Sequence, residues 1–230
     1  MSYTKLSAKE MGDEISAVVY NAKGEVISET RTDSMASYAV RTLDTMKDNA
    51  VLRTLLVDML NYGAAAQAQF NYNTGKLVNA ELSAEQAGWA SASVETTDNR
   101  DRSPNCVGSN LSLKDVIYLQ VAFDVTYEEG MYAVATFTNH YGKAIEHTLS
   151  VTKDNQYVIV RVEGMAIADY RGMVTCKLYD AQGNELGYAI DSMESYVARI
   201  ADPESTLGKM GDAIMKLGAS SYAYFRSLEK

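Results

Sequence analysis

TDSMASYAVRTL at residues 32–43 returns as IDSMESYVARIA at residues 190–201, in the same order and the same surroundings. Upstream of each, VVYNAKG (18–24) answers to KLYDAQG (177–183). Downstream, Leu52, Leu55, Met59, Gly63 and Phe70 fall opposite Leu207, Met210, Ile214, Gly218 and Phe225. The separation between matched positions drifts by only a few residues along the way, which means small loop deletions and no rearrangement. Two copies of one architectural unit are the economical reading of such self-similarity.

The local grammar of the unit is legible from period and capping. Ile15, Ala17 and Val19 alternate with Val18 and Tyr20, as one strand requires. Asn21–Gly24 supplies a turn whose glycine accepts positive φ, and residues 25–30 are expected to return as a second strand. Asp33 or Ser34 then caps a short helix running to about Leu43, because a side-chain oxygen there accepts a free amide hydrogen of the first turn. Leu52, Leu55, Leu56, Met59, Gly63, Ala66 and Phe70 draw one apolar stripe on a longer helix, from about residue 50 to 71. GAAA (63–66) and GASS (218–221) put small residues at the same place on both long helices, where close approach of a neighbouring backbone is the expected reason.

Between the copies the text changes. Residues 72–110 are polar and include Pro104, so 76–110 reads as a linker, with a short helix expected at Ser83–Ala90 and Trp89 capping a core. From Leu111 to Gly164 alternating runs recur at about ten-residue spacing, and two more follow before the second helical pair. The fold class expected is α+β: an antiparallel β-sandwich, Ig-like and of about six strands, closed by a helical hairpin. Residues 111–230 form that complete unit, and residues 1–75 form a truncated related copy of two strands and two helices. A truncated copy implies a longer parent protein cut inside a repeat; the rival reading is a strand-rich insertion between two complete strand-helix units. A two-stranded sheet is marginal alone, so the first hairpin is expected to find another sheet or present an edge to another chain.

Composition excludes several classes of function. At 230 residues and 47% hydrophobic the chain can bury a sizeable core. The net charge of -9, with no clustered Lys and Arg, argues against nucleic acid and anionic lipid as partners. No apolar run reaches the roughly 18 residues of a spanning helix, and the opening lacks the basic start and apolar stretch of a secretory signal. Two cysteines give no disulfide framework. Cys176 sits between Val174 and Leu178 and reads as core, whereas Cys106 sits in the polar stretch, where an exposed thiol is expected.

Motifs for activated serine, phosphate cradles, dinucleotides, thiol redox chemistry and HExxH zinc are all missing, and no cofactor is expected. His140 and His147 flank one turn and, with Glu146, are the only candidate metal ligands of that kind, but surface histidines are the commoner meaning. Asp124, Glu128 and Glu129 surround another turn, without the ligand ladder of a calcium loop. The unusual feature is 16 tyrosines against 4 phenylalanines. Tyrosine both stacks and hydrogen-bonds on binding faces, which makes Tyr118, Tyr132, Tyr141, Tyr157 and Trp89 the candidate binding face.

MLNYGAAAQAQFNYNT, VYNAKGEVI, LQVAFDVTYEEGMYAVATFTNHYGKA and GMAIADYRGMVTCKLYDAQGNEL together resemble a C-terminal repeat region of large secreted or cell-surface proteins of gut Firmicutes. The resemblance implies export, with the signal upstream of this sequence, and an extracellular or cell-surface place; it supplies no residue roles. The function expected is a non-catalytic module for attachment, spacing or recognition of a protein or glycan. The alternatives are a carbohydrate-binding module using the tyrosines and a glycan-active hydrolase, which needs two facing carboxylates in a cleft.

Overall fold

The computed structural model describes residues 6–46, 48–113 and 117–229; the opening MSYTK, inspected above for a signal, lies outside them. The chain divides into two compact units, Met1–Ser91 and Ala92–Lys230, and mixes helices with several antiparallel sheets. Among the described residues no helix is long and apolar enough to cross a membrane.

The first unit opens with a 3-10 turn, Ala8–Glu10, followed by strands β1 (Ile15–Ala17) and β2 (Arg31–Asp33) and helices α1 (Met35–Thr45), α2 (Ala50–Gln69) and α3 (Ala84–Ala87). The short helix expected near Ser83 is α3, stapled by reciprocal Ser83 and Gln86 bonds. The second strand is not at residues 25–30. Ladder pairing runs Ile15↔Asp33 to Ala17↔Arg31, and one isolated bridge, Tyr20↔Val26, marks the rest of the hairpin. With a single neighbour for each strand, the ladder between these two patches is not held.

The second unit contains β3 (Asp101–Arg102), β4 (Cys106–Ser112), β5 (Tyr118–Phe123), β6 (Tyr132–Thr138), β7 (Ala144–Ser150), β8 (Thr152–Asp154), β9 (Tyr157–Val162), a 3-10 turn at Ile167–Asp169, β10 (Val174–Tyr179), β11 (Glu185–Asp191), α4 (Met193–Ala198) and α5 (Thr206–Leu228). They form a five-stranded sheet, β3-β11-β10-β6-β7, and a four-stranded sheet, β4-β5-β9-β8. These nine strands exceed the six expected, because β3 lies in and β4 begins in the stretch 76–110 read as linker, and the run HTLSVTK is divided between β7 and β8, which belong to different sheets. β4 escapes a polarity criterion because it carries Gly108, Ser109 and Asn110 and buries only Cys106 and Leu111.

Both sheets turn alternate residues into one core: Leu119, Val121 and Phe123 from β5 and Val158, Val160 and Val162 from β9 meet Ala133, Ala135, Val174, Cys176 and Leu178 of the other sheet. Burying each such Val, Leu or Phe stabilises the unit by about 1.5–3 kcal/mol. The architecture is sandwich-like, with α4 and α5 following the last strand. Cys106 is also part of this core, which corrects the expectation of an exposed thiol. Burial pushes the Cys176 thiol up to about 12 and raises Cys106 as well. Since the thiolate is the reactive form, neither cysteine should react with a maleimide at neutral pH until denaturant is added; labelling of the folded chain, counted by mass spectrometry, checks this.

Several bonds recur at matched positions of the two units. β10 and β11 pair Val174↔Asp191, Thr175↔Ile190, Cys176↔Ala189 and Tyr179↔Glu185, the counterparts of Ile15↔Asp33, Ser16↔Thr32, Ala17↔Arg31 and Tyr20↔Val26. In the turns, Asn21 Oδ1 accepts from the amides of Lys23 and Glu25, and Asp180 Oδ1 accepts from those of Gln182 and Asn184. Gly24 and Gly183 follow at φ +81° and +86°, a region that favours glycine. The correspondence reaches further upstream than the sequence comparison did. Glu10 accepts from the Ser7 amide as Asp169 does from the Ala166 amide, and Met11 and Tyr170 carbonyls accept from Ala36 and Glu194.

The small residues of the long helices serve close packing. A Cβ on Gly63 would lie 3.3 Å from the Ala8 carbonyl oxygen, and one on Gly218 would lie 3.0 Å from that of Ile167 and 2.6 Å from Tyr170 Cβ. Each long helix thus presses its glycine against the 3-10 turn of its own unit.

One contrast separates the two hairpins. Ile15 and Val19 are 45% and 50% exposed, whereas their counterparts Val174 and Leu178 are 0% exposed beneath the second sheet. The apolar face that makes the core of the second unit is bare in the first.

Candidate functional site

The matched motif Asp-Ser-x-x-Ser-x-x-x-Arg builds the same polar cluster at the strand-to-helix joint of each unit. Ser34 caps α1 by accepting the Ser37 amide hydrogen at 3.0 Å, and Ser192 caps α4 from the Ser195 amide at 3.0 Å. The cap hydroxyl donates onward to the second serine in both units, Ser34 to Ser37 at 3.0 Å and Ser192 to Ser195 at 3.1 Å. One turn later the arginine returns over the aspartate: Arg41 Nη1 donates to Asp33 Oδ1 at 3.1 Å, and Arg199 donates to Asp191 at 3.0 and 2.8 Å. The eight-residue separation across a strand end and two helical turns places guanidinium and carboxylate side by side.

Their surroundings differ. Asp33 and Arg41 face water, and Arg41 together with the Ser34 amide holds the Asp33 carboxyl below its ordinary range. Asp191 is fully buried and also accepts from the Ser109 hydroxyl of β4. Burial alone would lower the Arg199 pKa, but the bonds to Asp191 more than offset it and leave the guanidinium above its ordinary value.

What covers the second cluster is the extended stretch just before and within β3. The Asn99 amide donates to Ser195 Oγ at 3.0 Å, Asp98 accepts from Arg199 Nη1 at 3.3 Å, and the Glu95 carbonyl accepts from Arg171 at 3.3 Å. Asp101 and Arg102 then pair with Ile190 and Ala189 of β11. In the first unit the same surface borders a cleft of about 330 Å³ between Thr32, Ser37 and Arg41 on one wall and Lys76, Leu77 and Glu81 on the other.

A second polar group lies in the other unit. His140 Nδ1 is 2.7 Å from Asp169 Oδ1, both side chains are nearly buried, and Nε2 has no hydrogen-bond partner among the described residues. The ring rests on Tyr141 and Phe225, and the pair borders a cavity of about 400 Å³ with Thr138 and Tyr222. An aspartate-held histidine is the base half of a hydrolytic site. Here, however, Asp169 also accepts the amides of His140 and Ala166, so its oxygens fasten the 139–142 turn to the 3-10 turn, the capping duty Glu10 performs alone in the first unit. His147 is not part of this group; it stacks on Phe137, while its β7 neighbour Glu146 pairs opposite Thr136. Asp124, Glu128 and Glu129 are exposed at their turn.

The expected tyrosine face is dispersed. Tyr118 lies under Arg161, 3.9 Å from guanidinium to ring centroid, at one end of the β5–β9 pair, and Tyr157 begins β9 at the other end. Tyr132 is in the five-stranded sheet, stacked on Tyr179 at 5.3 Å; Tyr141 is in the β6–β7 turn. Trp89 belongs to the first unit, where Arg53 covers its ring at 4.4 Å. Of the five, Tyr132 is the one stacked on another tyrosine, and its partner Tyr179 was not among the expected residues. The sequence reading passed over Ser37, Arg41 and the 94–102 stretch; the repeated Ser and Arg were visible, but their difference in exposure was not.

No protein-family model, curated protein or solved structure matches the chain.

Proposed function

We propose that this chain is a non-catalytic recognition module of an exported bacterial protein, working at the cell surface and built by duplication of one unit. In this reading the second unit is a self-contained Ig-like sandwich, and the first unit offers a surface for a protein partner. The bare hairpin carries the reading: Ile15 and Val19 stand in water where Val174 and Leu178 are fully covered, and Val26 and Ile27 are exposed beside them. An apolar patch of this kind, on a hairpin with unpaired edges, is characteristic of interaction sites. Against hydrolysis stands the structural occupation of Asp169, together with the exposure of Asp124, Glu128 and Glu129 at their turn.

A photo-crosslinking residue at Val19, in the folded chain mixed with envelope proteins of the producing bacterium, should yield a discrete protein adduct. The same residue at exposed Lys153 on β8 should yield none. Equal labelling at both positions would remove the recognition reading. A carbohydrate-binding role is the second reading, favoured by the Tyr132–Tyr179 stack, whose rings lie 17° from parallel.

A further inference from the structure

We infer that the cleft along β2 and α1 of the first unit is a peptide-docking site. Its occupant is an extended, aspartate-bearing segment of a partner polypeptide with the chemistry of Val94–Arg102. The inference rests on the recognition reading above and names the partner's binding element.

The argument is a comparison of matched surfaces inside one molecule. In the second unit the cluster of Asp191, Ser195 and Arg199 is finished by a strand-like segment: a backbone amide on Ser195 Oγ, an aspartate on Arg199, and an antiparallel pairing with Ile190 and Ala189. In the first unit the counterpart groups have the same internal bonds, and no finishing segment lies over them among the described residues. Ser37 is exposed and its oxygen receives the Ser34 hydroxyl in the geometry of Ser195, so a lone pair is available to an incoming amide. Arg41 is 59% exposed and engages Asp33, as Arg199 engages Asp191 while still reaching Asp98. Thr32 and Arg31 of β2 occupy the places of Ile190 and Ala189, and among the described residues β2 has β1 as its sole sheet neighbour, leaving the opposite edge open.

An extended peptide laid antiparallel to that edge would gain main-chain bonds from β2, the mode in which a strand is added to a sheet. Its aspartate would meet Arg41 by a charge-assisted bond. Lys76 on the facing wall favours an acidic segment, while Glu14 and Glu81, which also line the cleft, disfavour a run of several acids. The preferred ligand therefore carries one well-placed aspartate and mixed charge, as TTDNRDR does at 96–102.

The test uses a fluorescent synthetic peptide of sequence SVETTDNRDRS, residues 93–103, titrated into the full chain and followed by anisotropy. Saturable binding is expected. Arg41→Ala should weaken it about tenfold, the loss of one charge-assisted bond. A peptide with alanine in place of the aspartate at position 98 should lose a similar factor, and on the Arg41→Ala chain the two peptides should bind alike. Circular dichroism of Arg41→Ala should match the parent, since the replaced pair is exposed. Absence of binding at millimolar peptide, or equal affinity for parent and Arg41→Ala, overturns the inference. So does finding the cleft closed by a second copy of the chain in sedimentation. If the Val19 adduct forms while the peptide fails, this inference falls and the recognition reading stands; failure of both removes both.

Discussion

Arg199→Ala should destabilise the second unit by on the order of 3 kcal/mol, whereas Arg41→Ala should leave urea unfolding of the first unit essentially where it was. The two arginines make the same bonds to matched aspartates, so the difference comes from the medium. Asp191 is 0% exposed, and removing its guanidinium strands a carboxylate whose remaining donors are the Ser109 hydroxyl and the Ser192 amide. Asp33 has water available and loses little. Near-UV circular dichroism of the tyrosines and amide hydrogen exchange of β10 and β11 report the first effect. Equal midpoint shifts for the two variants would mean that the burial difference is not present in solution.

Gly218→Ala should destabilise the fold by about 1–2 kcal/mol, the margin by which overpacking outweighs the better helix propensity of alanine. The added Cβ would sit 2.6 Å from Tyr170 Cβ and 2.7 Å from Cγ, atoms too near the backbone to swing aside, and 3.0 Å from the Ile167 oxygen. Gly63→Ala is the informative companion. Its nearest neighbours are Val78 Cγ2 at 2.8 Å and Met11 Sδ at 2.9 Å, side-chain ends that can yield, and the Ala8 oxygen is 3.3 Å away. The helix gain should then offset most of the crowding, and thermal unfolding of Gly63→Ala should stay close to that of the parent. A stabilised Gly218→Ala would show that α5 does not press on its 3-10 turn.

How much was legible follows from how far apart the interacting residues lie in sequence. The turn at Asn21–Gly24 and the serine caps at Ser34 and Ser192 involve residues within a few positions of one another, and each was readable from spacing and chemistry. The stripe on α2 was drawn too narrowly: Val57, Leu60 and Tyr62, outside it, are buried, whereas Leu52, Leu55 and Met59 are half-buried, because neighbours pack on more than one face of that helix. The second strand of the first hairpin was misplaced by several residues because an unaccompanied ladder is set by weak pairing. β3 and β4 were hidden in a polar stretch because their strand character comes from partners far along the chain: Asp101 pairs with Ile190 and Cys106 with Phe123. The tyrosine face failed for a related reason, since alternation assigns a side of a strand but not the sheet to which the strand belongs.

By itself the sequence determined the local units: which residues alternate, where helices begin, and that the motif around Asp33, Ser34 and Arg41 recurs at Asp191, Ser192 and Arg199. Only the tertiary structure decided that one cluster lies sealed beneath Asp98 and Asn99 and the other lies open, and that Asp169 is held by His140. The physical reason is that caps, turns and amphipathic stripes are set by neighbours along the chain. Burial is set by whatever strand or segment arrives from a distance, and the same nine-residue motif is compatible with either outcome.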